Sequence, residues 1–168
     1  MNLTETFESL CANEVQEFIK LGQEENLHLD FKTVNNPNLG TDDKRNLAKG
    51  LSGFANSSGG IIVWGVDARK STQGIDCATA PAEIPNVKLF LSRLNTLTGD
   101  AVSPLVDGVR HKSIETTQGK GFAVTLVPES ASGPHMAKLG EDRYYKRSGD
   151  SFYRMEHFDL EDMFGRRQ

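Results

Sequence analysis

The run Ile61-Ile62-Val63-Trp64-Gly65-Val66 limits the fold of this chain more than any other feature. It carries no charge, is rich in β-branched and aromatic side chains, and is led in by Gly59-Gly60, which reads as a strand covered on both faces. Such a strand needs a layer on each side, and the flanking segments offer helices. Residues 41–54 put Leu47, Leu51 and Phe54 on one stripe, with Thr41 as N-cap and Asp42 and Asp43 in the first turn, where the helix dipole favours acids. Further upstream, Val15, Phe18, Ile19 and Leu21 share a helical face between Asn13 as N-cap and Gly22 as stop.

Between these helices, residues 27–34 alternate Leu27, Leu29 and Phe31 with His28, Asp30 and Lys32, the pattern of a half-buried strand. Residues 68–86 read as a polar excursion bearing Pro and Gly. A helix over 87–97 follows, with Val87, Phe90, Leu91 and Leu94 inward. Strands near 108–115 and 121–127 form an antiparallel hairpin through TTQGKG, and HMAK, DRYYKRSG and SFYRM read as short strands. A last helix over 156–164 is expected to bury Phe158, Leu160 or Met163, and Phe164. With no repeat or linker to divide it, residues 1–168 make one domain of α/β (α+β) class, a mixed β-sheet with flanking helices.

A chain of 168 residues buries enough apolar surface to fold without metal or crosslinks. Cys11 and Cys77 are too few and too isolated for a disulfide framework, which points to a reducing, cytoplasmic setting. The opening MNLTETFESL has neither the basic start nor the apolar run of a signal peptide, and no membrane-spanning stretch is expected. A net charge of −4 argues against a general histone-like binder. Acids concentrate early: residues 1–43 hold nine acids and two bases, which leaves a mildly basic remainder able to meet phosphates or simply to pair internally.

Asp30 and Lys32, two apart on a strand, share a face, and Glu25 can fold back toward them. Carboxylate oxygens suit Mg²⁺ or Mn²⁺, and a neighbouring cation suits a scissile phosphate, although alternating charge also suits a solvated strand face. Asp67, just after the apolar strand, could join Asp30 and Glu25 if the two strands are neighbours; as a turn residue it needs no such role. FANSSGG (54–60) fits a helix turning sharply into a strand, with glycine where a Cβ would clash or φ is positive. A phosphate cradle is its other reading, but no G-x-x-x-x-G-K-[ST] loop occurs. Tyr144, Tyr145, Lys146, Arg147, Tyr153 and Arg154 interleave aromatics with bases, as nucleic-acid binders do, yet strand alternation sends Tyr145 and Arg147 to one side and Tyr144 and Lys146 to the other. The four histidines show neither metal-ligand spacing nor a nucleophile motif.

Glu25-x-x-x-x-Asp30-Phe31-Lys32, then FANSSGGIIVWGVD (54–67), then RYYKRSGDSFYRM (143–155), in that order, resemble the Schlafen AlbA-like domain family, whose older labels are a DNA-binding domain and a divergent AAA domain. The resemblance covers about residues 12–165. It implies an α/β fold with a mixed sheet and a nucleic-acid-associated role. In members that cut structured RNA such as tRNA, metal-binding carboxylates lie at positions matching Glu25, Asp30 and Asp67; Asp30 stands where the family more often has Glu. The nuclease unit there is built of two related lobes, so a homodimer of this chain would restore its groove.

Two functions follow as expectations. One is a Mg²⁺- or Mn²⁺-dependent endonuclease, RNA ahead of DNA, with Glu25, Asp30 and Asp67 on metal, Lys32 on the phosphate, and Lys44, Arg45, Lys49, Lys146, Arg147 and Arg154 along the backbone. The other is a non-catalytic DNA- or RNA-binding regulatory module that uses the same bases. Nucleotide binding, as the AAA label suggests, has the least support because the phosphate loop is missing.

Overall fold

The computed structural model describes residues 2–166. Its first element, α1 (Leu3–Ser9), has no counterpart in the sequence reading, because two turns are too short to display a period. Asn2 caps it by accepting the Glu5 N–H at 3.1 Å, and Phe7 is its buried anchor. Next comes α2 (Ala12–Leu21), capped by Cys11 rather than Asn13 and closed by Gly22 in the left-handed region at φ 62°, as expected of a helix-ending glycine. After β1 (Leu29–Lys32), the helix α3 (Thr41–Ala55) takes Gly40 as N-cap in place of Thr41. Buried Asp43 decides that boundary: its carboxylate accepts the N–H groups of Asn35, Asn36 and Gly40 at 3.1–3.2 Å and ties the whole 35–40 loop to the helix start.

The apolar run forms β2 (Gly60–Trp64), and Gly65 at φ 99° turns the chain out of that strand. What reads as a polar excursion is a hairpin, β3 (Val66–Lys70) with β4 (Asp76–Pro81). Its inward positions include the small side chains of Ala68 and Ala78, too weak a hydrophobic alternation to announce a strand. Then follow α4 (Val87–Ala101), β5 (Val102–Ser103), β6 (Arg110–Thr117) and β7 (Lys120–Val127). β8 (Met136–Ala137), β9 (Arg143–Ser148), β10 (Ser151–Arg154) and α5 (His157–Arg166) complete the chain.

The central sheet has the order β1-β2-β7-β6, with β1 parallel to β2 and the other pairs antiparallel. Alternation splits β2 between two cores: Ile62 and Trp64 meet α3 and α4 through residues such as Leu47, Leu51, Phe54 and Phe90, while Ile61 and Val63 join Phe7 and Val15 of α1 and α2. This is the two-sided burial that the apolar run demands. Because Asp30 lies beside Ile62 and Lys32 beside Trp64, both point to the α3 side, whereas Leu29 and Phe31 point away from it. A second sheet, β10-β9-β8-β5, packs on the same helix; Phe152 meets Phe54 edge-on at 5.1 Å, over Gly53, where a Cβ would run into the Phe152 ring.

Polar groups inside the core are paired. Trp64 Nε1 donates to Thr125 Oγ1 at 2.9 Å, and Thr125 faces His111 Nδ1 at 2.8 Å. His111 Nε2 meets Thr98 Oγ1 at 2.7 Å, whose own hydroxyl donates to the Leu94 carbonyl, so the histidine is neutral and spans two hydroxyls. Burial pushes its pKa down to about 4.

The last helix departs from expectation: α5 buries none of its residues, and Phe158 is 67 % exposed. The surface it meets offers charge rather than an apolar groove. Lys146 Nζ holds both carboxylate oxygens of Asp159 at 3.1–3.2 Å and lies 5.9 Å from the Phe158 ring. Among the described residues no helix is long and apolar enough to cross a membrane.

Candidate nucleic-acid interface

FANSSGG is a joint. Gly59 has φ 77°, and a Cβ there would lie 2.9 Å from the Val127 carbonyl and the Glu129 nitrogen; a Cβ on Gly60 would strike the Phe54 ring. Tight helix-to-strand packing therefore explains the glycines. The polar residues before them were legible only as turn formers, yet they clamp β9. Asn56 Nδ2 donates to the carbonyls of Tyr145 and His135 at 2.9 and 3.0 Å, and Asn56 Oδ1 accepts the His135 N–H at 2.7 Å. Ser52 Oγ accepts the Tyr145 N–H at 3.0 Å, and Ser57 Oγ accepts the Arg147 N–H at 2.8 Å. With the β9 backbone held this way, Tyr145 and Arg147 share one face, as alternation predicts, and that face points inward.

Arg147 was expected on a phosphate. Its side chain is instead 0 % exposed and stitches the second sheet to the first. Nη1 meets Asp30 Oδ1 at 3.1 Å; Nη2 donates to the Asn26 and Leu29 carbonyls at 2.8 and 2.9 Å; Nε donates to Asn26 O at 3.2 Å. Phe54 and Phe152 flank the guanidinium, with ring centroids at 5.1 and 4.5 Å. A planar, always-charged fork surrounded by acceptors and aromatic faces is a structural tie that no nucleic acid can reach.

Asp30, expected on a polar strand face, is 2 % exposed and takes a cation on each oxygen: Arg147 on Oδ1, and Lys32 Nζ on Oδ2 at 3.2 Å. The Lys32 contact is an ion pair only, since Oδ2 has no hydrogen-bond partner. Glu25 is also buried and accepts the Phe31 N–H at 2.9 Å. Burial first, and then the Asp30 charge and a hydrogen bond to it, push the Glu25 pKa up to about 8. Near neutral pH Glu25 therefore keeps its proton. Sequence spacing brought Glu25, Asp30 and Lys32 together correctly.

Asp67 is the exception. β1 and β2 are neighbours, but Gly65 carries Asp67 into the β3–β4 hairpin, where it pairs with Arg69 Nε at 3.3 Å. Among the described residues no group of three His, Cys, Asp or Glu side chains is placed to hold a metal ion. The donor chemistry agrees: a divalent ion approaching Asp30 would meet the cations Lys32 and Arg147, one on each carboxylate oxygen. These residues do not fit the three-carboxylate Mg²⁺ or Mn²⁺ site that the sequence led us to expect.

The exposed bases tell a different story. Arg45 and Lys49, four apart on α3, share a face, and Lys49 Nζ lies 5.3 Å from the centroid of the Tyr145 ring. The Tyr145 hydroxyl donates to Glu141, and Arg154 Nη2 of β10 approaches the other Glu141 oxygen at 4.0 Å. Burial and then the Lys32 charge lower the Lys49 pKa, Glu141 opposing and Arg45 adding to the effect. Arg45, Lys49 and Arg154 thus gather near Tyr145 and Glu141, and Lys32, ion-paired with Asp30, adds its charge from β1. Lys44 is half-buried one step around α3, and Lys146 is tied to Asp159 on the other face of β9. Glu141, which holds the cluster, was not singled out, and Asn56, which positions β9, was read only as part of the helix-to-strand turn; no local spacing marks the contacts of either.

Fold and site together define an α+β domain with a buried arginine–carboxylate tie under a basic face. The chain belongs to the Schlafen, AlbA_2 family, whose model matches residues 25–156, from Glu25 onward and so beyond α1 and α2. Among solved structures it is similar to the N-terminal domain of an ATP-dependent DNA helicase RecG-related protein from Nitrosomonas europaea, determined by solution NMR. The identity is 21 %, the TM-score is 0.55, and the match covers 88 % of this chain and 96 % of that one. A weaker likeness is to the DIP2311 protein of Corynebacterium diphtheriae, at 17 % identity and TM-score 0.45, covering 86 % of this chain and 26 % of that one. At these identities the likeness concerns the fold. No curated protein matches.

Proposed function

We propose that this chain is a non-catalytic nucleic-acid-binding module that grips the phosphate backbone through Lys32, Arg45, Lys49 and Arg154. The observation that carries the reading is the convergence of these four cations, from three separate elements, on one face of a chain whose net charge is −4. Burial is the first cause of the lowered Lys49 pKa and the Lys32 charge the second; a polyanion laid on this face would offset the repulsion between those two cations. Membership of the Schlafen, AlbA_2 family agrees with this role. The acids expected to do hydrolysis serve the interior in this reading.

The test is binding of labelled tRNA and single-stranded DNA to purified protein across a salt series, with Mn²⁺ or EDTA present. The expected result is binding that weakens steeply with salt, is indifferent to EDTA, and leaves the substrate intact. Absence of binding to either substrate at low salt would end the proposal. Mn²⁺-dependent cleavage that disappears in Asp30→Asn would replace it with the endonuclease.

A further inference from the structure

The loop that follows β7 brings a serine onto a buried histidine. His135 is fully buried, and its Nδ1 lies 2.7 Å from the Pro104 carbonyl, an atom that can only accept. Nδ1 therefore carries the proton, and Nε2 presents its lone pair to Ser130 Oγ at 2.6 Å. The backbone on both sides of the ring is fixed, since Asn56 holds the His135 N–H and Ser52 Oγ donates to its carbonyl at 2.7 Å. Hydroxyl, base and orienting acceptor thus stand in line, the arrangement that activates a nucleophilic oxygen. The Ser132 N–H points at the same Ser130 oxygen from 3.1 Å.

This oxygen has access to a substrate. Ser130 lines a cleft of about 230 Å³ together with Asn56, Ser57, Glu129, Gly133, Met163 and Arg166, so the wall carries an acid as well as a cation, and that cation is paired with Asp162. We propose that Ser130 is an acyl-accepting nucleophile with His135 as its general base, and that the cleft takes small carboxylic esters. Ser130 Oγ bonds to the ester carbon as its proton passes to His135 Nε2; the carbon–alkoxide bond breaks, and the alkoxide takes that proton and leaves as alcohol. Water then attacks the acyl-serine, returns a proton to Ser130 through His135, and releases the carboxylic acid.

Treatment of the intact chain with a fluorophosphonate probe, followed by peptide mass spectrometry, tests this. Ser130 should be labelled at least about 100-fold faster in the folded protein than in urea. p-Nitrophenyl acetate should give a burst of one equivalent. Ser130→Ala should lose both signals and Ser132→Ala should keep them. Because His135→Gln removes a buried ring and is prone to unfold, the second readout is the wild-type acylation rate in heavy water, which should fall clearly because a proton moves to His135 as the bond forms. Labelling of Ser130 no faster than in urea, or spread over Ser57 and Ser132, would overturn the proposal, as would an acylation rate equal in light and heavy water.

Discussion

Arg147 and Arg154 sit on one hairpin, seven residues apart, and have opposite lives. Arg147 is 0 % exposed, with Asp30, two carbonyls and two aromatic rings around it, while the Arg154 side chain is 60 % exposed with one distant carboxylate at 4.0 Å. The β9–β10 pairing sets Arg147 opposite Phe152 and Arg154 opposite Tyr145, so the first arginine falls over the core end of α3 and the second over its basic, solvent-facing end. Burial, not residue type, turns one cation into a structural tie and leaves the other free for a phosphate.

The harshest way to break this comparison is Arg147→Ala. It leaves the Asp30 carboxylate buried beside a void, and loss of a buried partner costs about 3–5 kcal/mol, read as a fall in the urea midpoint. The double variant Asp30→Asn/Arg147→Met should recover much of that, because neither residue then holds an uncompensated charge. Recovery would show that the pair stabilises by mutual neutralisation and is replaceable. If Arg147→Ala proves neutral, the tie does not exist.

Next in size is the pH response of the buried acids. The folded pKa of Glu25 is raised to about 8 from 4.5, so its contribution to stability is full below pH 4.5, erodes as pH rises, and is lost through about pH 8. The slope for a single proton cannot exceed about 1.4 kcal/mol per pH unit. Glu25→Gln, which still accepts the Phe31 N–H, should flatten the alkaline limb of melting temperature against pH. His111 has the opposite sign: its folded pKa is depressed to about 4 from 6.5, so the stability it lends is present above pH 6.5 and is lost as pH falls through about 4. Neither limb should move in variants of Arg45 or Arg154, whereas loss of the Lys32 charge, which lowers the Glu25 pKa, should shift the alkaline limb upward in pH.

On the basic face, Arg154→Glu should weaken tRNA binding about tenfold and lower the log-log salt slope by about 1–2, while stability stays within about 0.5 kcal/mol of wild type; Lys49→Glu should weaken binding as much and also lower stability, because Lys49 is half-buried over the Tyr145 ring. The smallest effect belongs to Lys146→Ala, below about threefold in binding, because that ammonium is already held by Asp159 on the other face of β9. If Lys146 proved as important as Lys49, the face we assign would be the wrong one.

How far residues alone reach depends on range. The buried strand, the α3 stripe, the β6–β7 hairpin and the closeness of Glu25, Asp30 and Lys32 are local patterns, and each has its counterpart in the fold. The β3–β4 hairpin stays hidden because alanines on its inner face give little hydrophobic signal, and α5 reads as buried because an amphipathic period does not say whether a groove exists to receive it.

Sequence by itself determined the longer elements, the two-sided burial of residues 60–64, and that Tyr145 and Arg147 share one face of β9. Tertiary structure alone decided that Asp67 leaves with a hairpin, that Arg147 neutralises Asp30, and that Lys32, Arg45, Lys49 and Arg154 meet. The reason is physical. A strand or helix period is fixed by backbone geometry within a few residues, whereas the charge, protonation and reach of a side chain depend on which distant segments exclude water from it.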